Sequence, residues 1–136
     1  MHGSCKFAVH VHVLTEMEVK AMKTIHIYGD NRQAQVKRER IACRGILRRG
    51  EQILLSYEVN TDQWFTPGGG LEKNETLPEC CARELAEETG CVVKAGEQFL
   101  TIHEYYLEWH FVSHYFLCEY VGETQRSRTE QEVEVG

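Results

Sequence analysis

The stretch "TLPECCARELAEETG", residues 76–90, constrains this chain more than any other, because it spells out both ends of a helix. Thr76 can accept a hydrogen bond from an unpartnered N–H of the first turn. Glu79, three residues on, can reach back to the N–H of Thr76. Pro78 falls in the first turn, where a missing N–H costs little, and Gly90 supplies a left-handed stop. The spacing predicts a helix over Leu77–Thr89. Leu77, Cys81 and Leu85 recur every four residues as a core stripe. Glu84, Glu87 and Glu88 stand at i, i+3 and i+4 and share another face. Such neighbours repel by roughly tenths of a kcal/mol per exposed pair, and by more as burial increases. Bound Mg²⁺ or Mn²⁺ would offset that repulsion, since hard cations take oxygen ligands. The alternative is a merely solvated acidic face.

The segment ahead of the helix, "TPGGGLEKNE", changes the balance between these readings. Three consecutive glycines let backbone approach a ligand closely and permit positive φ. A glycine-rich run leading into a helix suits phosphate. From Glu72 to Glu88 six glutamates face only Lys73 and Arg83, so this segment carries most of the net charge of −6. Concentrated acidity of this kind argues against a nucleic-acid polymer as partner, which needs a basic face. It suits a site that recruits a divalent cation and a phosphate.

Around the helix the order is strands, one helix, strands, which is an α+β pattern. "IACRGILRR" and "QILLSYEV" flank a turn at "RGE" as a hairpin, and "QWF" is a short strand stopped by Pro67 and the glycines. After the helix, "CVVKAG", "QFLTIHEYYLEW" and "HFVSHYFLCEYV" are β-rich, with a turn near Glu108–His110. "GDNRQAQVKRER", with Arg32, Lys37, Arg38 and Arg40, reads as a solvated connector or a phosphate contact. "FAVHVHVL" alternates like an edge strand; its His10 and His12 would need further ligands to hold a metal. Residues 1–21 are expected to be an N-terminal extension of expression or start-site origin, with Met17 and Met22 as alternative starts. Residues 22–136 are expected to be one domain. A chain of 136 residues, 42% hydrophobic and 26% charged, can bury a core of that size. Six cysteines without C-x-x-C spacing read as reduced thiols of a cytoplasmic protein. No apolar run approaches the roughly 18 residues of a membrane span.

From Gly69 to Cys91 the spacing resembles the Nudix box, G-x5-E-x7-R-E-U-x-E-E-x-G-U, where U is a bulky aliphatic residue. Only Cys91, at the last U, departs from it. The resemblance implies a Nudix hydrolase: an α/β/α sandwich around a mixed central sheet, with the box as loop–helix–loop. It implies Mg²⁺- or Mn²⁺-dependent hydrolysis of a nucleoside diphosphate linked to another group, by water attack on phosphorus. By position, Glu84, Glu87 and Glu88 would bind the metal with a carbonyl of Gly68 or Gly69. Glu84 is also a candidate to orient or deprotonate the water. Arg83 and Glu75 would pair to hold the loop against the helix. A nucleotide-sensing module that keeps the fold without hydrolysis is the alternative.

Substrate choice lies outside the box. Trp64 or Phe65 could stack on a base, although burial of both in the core is favoured. Tyr105 and Tyr106 are candidates for substrate contact. Glu104 is a candidate further ligand or base, in competition with Glu130, Glu132 and Glu134. His103, His110 and His114 read as hydrogen-bonded structural residues. The family usually continues past this point with a strand and a helix. A truncated C-terminus is therefore expected to leave one sheet face thinly covered, unless the N-terminal extension or a homodimer partner covers it.

Overall fold

A computed structural model of the chain describes residues 3–10, 22–29 and 36–124, the first of these by backbone alone. His12, Met17, Arg32, Glu130, Glu132 and Glu134 lie outside the described residues. The elements are β1 (Gly3–His10), β2 (Lys23–Tyr28), β3 (Arg38–Arg49), β4 (Gln52–Glu58), β5 (Gln63–Phe65), β6 (Gly68–Gly70), α1 (Leu77–Thr89), β7 (Cys91–Tyr106) and β8 (Trp109–Glu123). The strands form one eight-stranded sheet in the order β1-β4-β3-β8-β7-β2, with β5 on β4 and β6 on β3. The sheet is mixed: β3 with β8 and β2 with β7 are parallel, and the other pairs are antiparallel. This is the expected α+β organisation.

The helix matches its letters. Glu79 N–H donates to Thr76 Oγ1 at 3.2 Å, and Thr76 N–H donates to Glu79 Oε1 at 2.9 Å. Gly90 ends the helix at φ 79° and donates to the Ala86 carbonyl. Cys81 and Leu85 are fully buried, Leu77 packs against them half-buried, and Cys80 joins the core as well. With Cys43, Leu47, Leu54, Cys91, Val93 and Phe116 they form one cluster between α1 and the sheet. Cys91, the residue that departs from the box, is thus a small apolar packing residue. Among the described residues α1 is the only helix, and it covers one face of the sheet. Ile25 and Ile27 on β2 stand exposed.

Three strand expectations are corrected. Gly68–Gly70 is not an open loop: it ladders onto β3 with Ala42 opposite Gly70 and Arg44 opposite Gly68. None of the three glycines has positive φ; close packing is what excludes a side chain at Gly68 and Gly69. Second, "CVVKAG" and "QFLTIHEYY" are one strand, β7, whose register shifts between Ala95 and Leu100 absorb the irregularity. Third, the turn to β8 is at Leu107–Glu108, where Leu107 takes φ 53°. Lys23–Tyr28, which carried no strand assignment, runs parallel to β7 at the sheet edge, and Gly3–His10 is an edge strand on β4.

Candidate active site

The hairpin β3–β4 pairs only next to its turn, Arg48 with Ile53 and Arg49 with Gln52. Beyond that the strands part. β3 continues against β8 and β6, while β4 continues against β1 and β5. The gap between them is an open groove of about 610 Å³. Glu84, Glu87 and Glu88 of α1 line it, with Gly68 and Gly69 of β6, Arg40 and Arg44 of β3, Ser56 of β4 and Phe65 of β5.

The three carboxylates are held in two ways. Arg83 donates Nε to Glu75 Oε2 at 2.6 Å and Nη2 to Glu75 Oε1 at 3.0 Å, a bidentate pair. Its Nη2 also donates to the Gly70 carbonyl at 3.0 Å, which ties helix, loop and glycine strand together. The remaining nitrogen, Nη1, donates to Glu84 at 3.0 Å and Glu87 at 3.2 Å. The guanidinium beside Glu75 holds that carboxyl at a pKa of about 2. Glu72, which had no assigned role, lies 3.6 Å from Arg83 Nε while staying largely exposed.

Glu88 is held from the opposite wall. Ser56 Oγ donates to Glu88 Oε1, the Gly68 N–H donates to its carboxylate, and the charge of Arg44 acts on it. Glu88 keeps solvent contact through the groove, but the walls strip part of its carboxylate's hydration. That desolvation is the largest effect on it and raises its pKa. Arg44 in turn donates Nη1 to the Thr66 carbonyl at 2.9 Å. Neither Ser56 nor Arg44 figured among the expected site residues. Each left a signal, because each is a polar residue inside an otherwise apolar strand, "QILLSYE" and "IACRGIL".

The glycines set the spacing. A Cβ at Gly69 would fall on the Glu84 carboxylate, and one at Gly68 would meet the Cys43 carbonyl. The helix carboxylates can therefore lie directly on the β6 backbone. Carboxylate and peptide oxygens are hard donors and suit Mg²⁺ or Mn²⁺. Among the described residues no three acidic, histidine or cysteine side chains are already drawn together as metal ligands.

The structure separates the other candidates. Phe65 lines the groove. Trp64 does not, and packs on Tyr57 with ring centroids 4.8 Å apart. The expectation that both are core is corrected: they are 44% and 42% exposed, because among the described residues β5 pairs with β4 alone. Glu104, Tyr105 and Tyr106 are not brought to the groove. They lie on β7, with β8 between them and β3. Tyr105 is buried in a stack with Tyr28 and His110, while Glu104 and Tyr106 are exposed. None of Cys43, Cys80, Cys81, Cys91 and Cys118 lines the groove. Burial pushes Cys43 up to about 12 and raises Cys80, so both remain thiols.

Comparison with known proteins identifies the family and the fold. The sequence profile of the NUDIX domain matches residues 36–135. A curated relative, rat (Rattus norvegicus) diphosphoinositol polyphosphate phosphohydrolase 2, is 36% identical over 66 residues, which cover 48% of this chain and 37% of the relative. The chain thus spans well under half the length of the curated relatives it matches. Among solved structures, a NUDIX hydrolase from Nitrosomonas europaea superposes with a TM-score of 0.59 at 19% identity, covering 66% of this chain and 64% of that one. The E. coli ORF135 protein superposes with a TM-score of 0.57 at 24% identity, covering 71% and 72%. These likenesses show a shared fold. With the profile spanning well over half of its length, this chain belongs to the Nudix family.

Proposed function

We propose that the groove hydrolyses a diphosphate linkage in a small phosphorylated substrate, with Mg²⁺ or Mn²⁺ held by Glu84, Glu87, Glu88 and a carbonyl of Gly68 or Gly69. The observation that carries this reading is the contact of Glu84 with Gly69 inside an open groove that also holds Glu87 and Glu88. A bound divalent cation would neutralise the diphosphate, polarise the P–O bond and lower the pKa of the attacking water. Arg83 keeps Glu84 and Glu87 in place, and Ser56 and the Gly68 N–H keep Glu88 in place. A groove carboxylate accepts the water's proton. The new P–O bond forms as the bridging one breaks, and the leaving phosphate takes the electron pair. No nucleophilic Ser or Cys is needed.

The curated relatives are named for diphosphoinositol polyphosphates, so these belong in a substrate panel beside nucleoside triphosphates and dinucleoside polyphosphates. The panel is run with Mg²⁺ and with Mn²⁺, and products are identified. Glu87→Gln and Glu88→Gln are each expected to cut turnover by orders of magnitude while the fold survives. Near-normal rates in both purified variants would sink the ligand assignment. Five described cysteines are free, as a reducing compartment such as the cytoplasm would keep them.

A further inference from the structure

The groove contains two cations, and only one of them is committed. Arg44 is spent on the Thr66 carbonyl and on Glu88. The neighbouring Arg38 pairs with Glu108 at 2.6 Å and lies over the Trp109 ring at 5.6 Å. Arg83 is saturated by Glu75, Glu84, Glu87 and the Gly70 carbonyl. Arg40 is different. Among the described residues it has no carboxylate at ion-pair distance and no hydrogen-bond acceptor, yet it lines the groove. Its place is defined by Gly70: a Cβ there would stand 3.4 Å from Arg40 Nη2 and 3.6 Å from Nε. The guanidinium therefore lies along the glycine strand, one residue from the point where Glu84 rests on Gly69.

We propose that Arg40 is a specificity-determining residue, a guanidinium that holds an anionic group attached to the diphosphate and so favours substrates with a further phosphate. The proposal rests on the hydrolytic reading for where the diphosphate sits. A guanidinium without a carboxylate partner keeps its planar fork of donors free, and that fork matches a phosphate bidentately. A divalent cation held by the three carboxylates would neutralise the diphosphate itself. Apart from Arg44, the charged residues that line the groove beside Arg40 are the glutamates Glu58, Glu84, Glu87 and Glu88. Arg40 and Arg44 are four residues apart on one strand, roughly 13 Å at the usual rise, so they serve different parts of a ligand.

The test compares two hydrolysis-resistant probes bound to the full chain at saturating Mg²⁺: methylenediphosphonate, and the bis-methylene triphosphonate with one more phosphonate. Calorimetry should show the triphosphonate binding tighter to the wild type by about tenfold, the scale of one charge-assisted bidentate contact. Arg40→Gln should abolish the difference, and Arg40→Lys should keep part of it. Lys94→Gln, at an exposed position on β7, should leave it unchanged. Equal binding of the two probes to the wild type would overturn the proposal. So would a difference that survives Arg40→Gln, an equal loss in Lys94→Gln, or no binding of either probe. Turnover is assayed separately. If Glu87→Gln keeps full turnover while Arg40→Gln loses the selectivity, the metal-ligand reading fails and the anion contact stands. If turnover needs Glu87 but Arg40→Gln binds both probes as the wild type does, only the role of Arg40 fails.

Discussion

Gly69 is the residue on which the site closes. Its missing side chain leaves the volume that the Glu84 carboxylate fills, whereas Gly70 has only the more distant Arg40 guanidinium above it. The two glycines are adjacent in a three-residue strand but do different work, and a methyl group distinguishes them. Gly69→Ala is expected to displace Glu84 and lower turnover by orders of magnitude, with reduced metal affinity by calorimetry. Gly70→Ala should change stability by no more than about 0.5 kcal/mol, since the added methyl makes ordinary contact. Equal activity in the two variants would show that Glu84 need not lie on this strand. The glycine triplet was legible in the sequence as a demand for close backbone approach. What fills the space was not, because Glu84 comes from a helix that begins seven residues later and folds back over it.

The helix is the element that the sequence describes best, and the reason is local. Its start, stop and core stripe are all set by contacts within five residues of each other, so no knowledge of the sheet is needed. Loss of the cap should therefore act on the whole element. Thr76→Ala removes the acceptor for the Glu79 N–H and should destabilise the chain by about 1 kcal/mol, while Thr76→Ser should be nearly neutral. Urea unfolding of the three proteins measures this, and an unchanged midpoint in Thr76→Ala would show that tertiary packing alone sets the helix start. The strands were read less well for the opposite reason. β6 is a strand only because Ala42–Arg44 lies beside it, more than twenty residues back along the chain. Trp64 and Phe65 have core composition, but their exposure follows from the edge position of β5, which topology decides. Ser56 and Arg44 were visible as polar residues in apolar strands; their meaning needed the splayed hairpin that turns them toward the groove.

At the scale of the whole molecule the sheet carries a second organised polar feature away from the groove. His26 of β2 stacks on His103 of β7 at 4.5 Å, and His103 Nδ1 shares a hydrogen bond of 2.7 Å with His110 Nε2 of β8. His110 Nδ1 meets Glu39 of β3 at 3.0 Å, while His114 Nδ1 is bonded to Gln98 and Thr101. Three strands thus meet through one row of rings, and Glu39 ties in a fourth, where only separate structural histidines were expected. Burial is the largest effect on His103 and lowers its pKa below the ordinary 6.5, helped by the positive charge that His26, His110 and His114 would carry and opposed by Glu39. Burial also lowers His114. A histidine whose folded pKa is depressed is protonated more readily in the unfolded chain. Its contribution is therefore unimpaired above about pH 6.5 and is lost as pH falls from there toward the folded pKa. The fold should lose several degrees of Tm between about pH 7.5 and about pH 5.5, and His103→Gln should flatten that slope. Glu75 acts in a different window: with a folded pKa of about 2, its contribution is intact above the ordinary carboxylate value of 4.5 and is lost as pH falls from there. Thermal unfolding across this range, monitored by circular dichroism, separates the two: a slope in His103→Gln as steep as in the wild type would remove the histidine row as its cause.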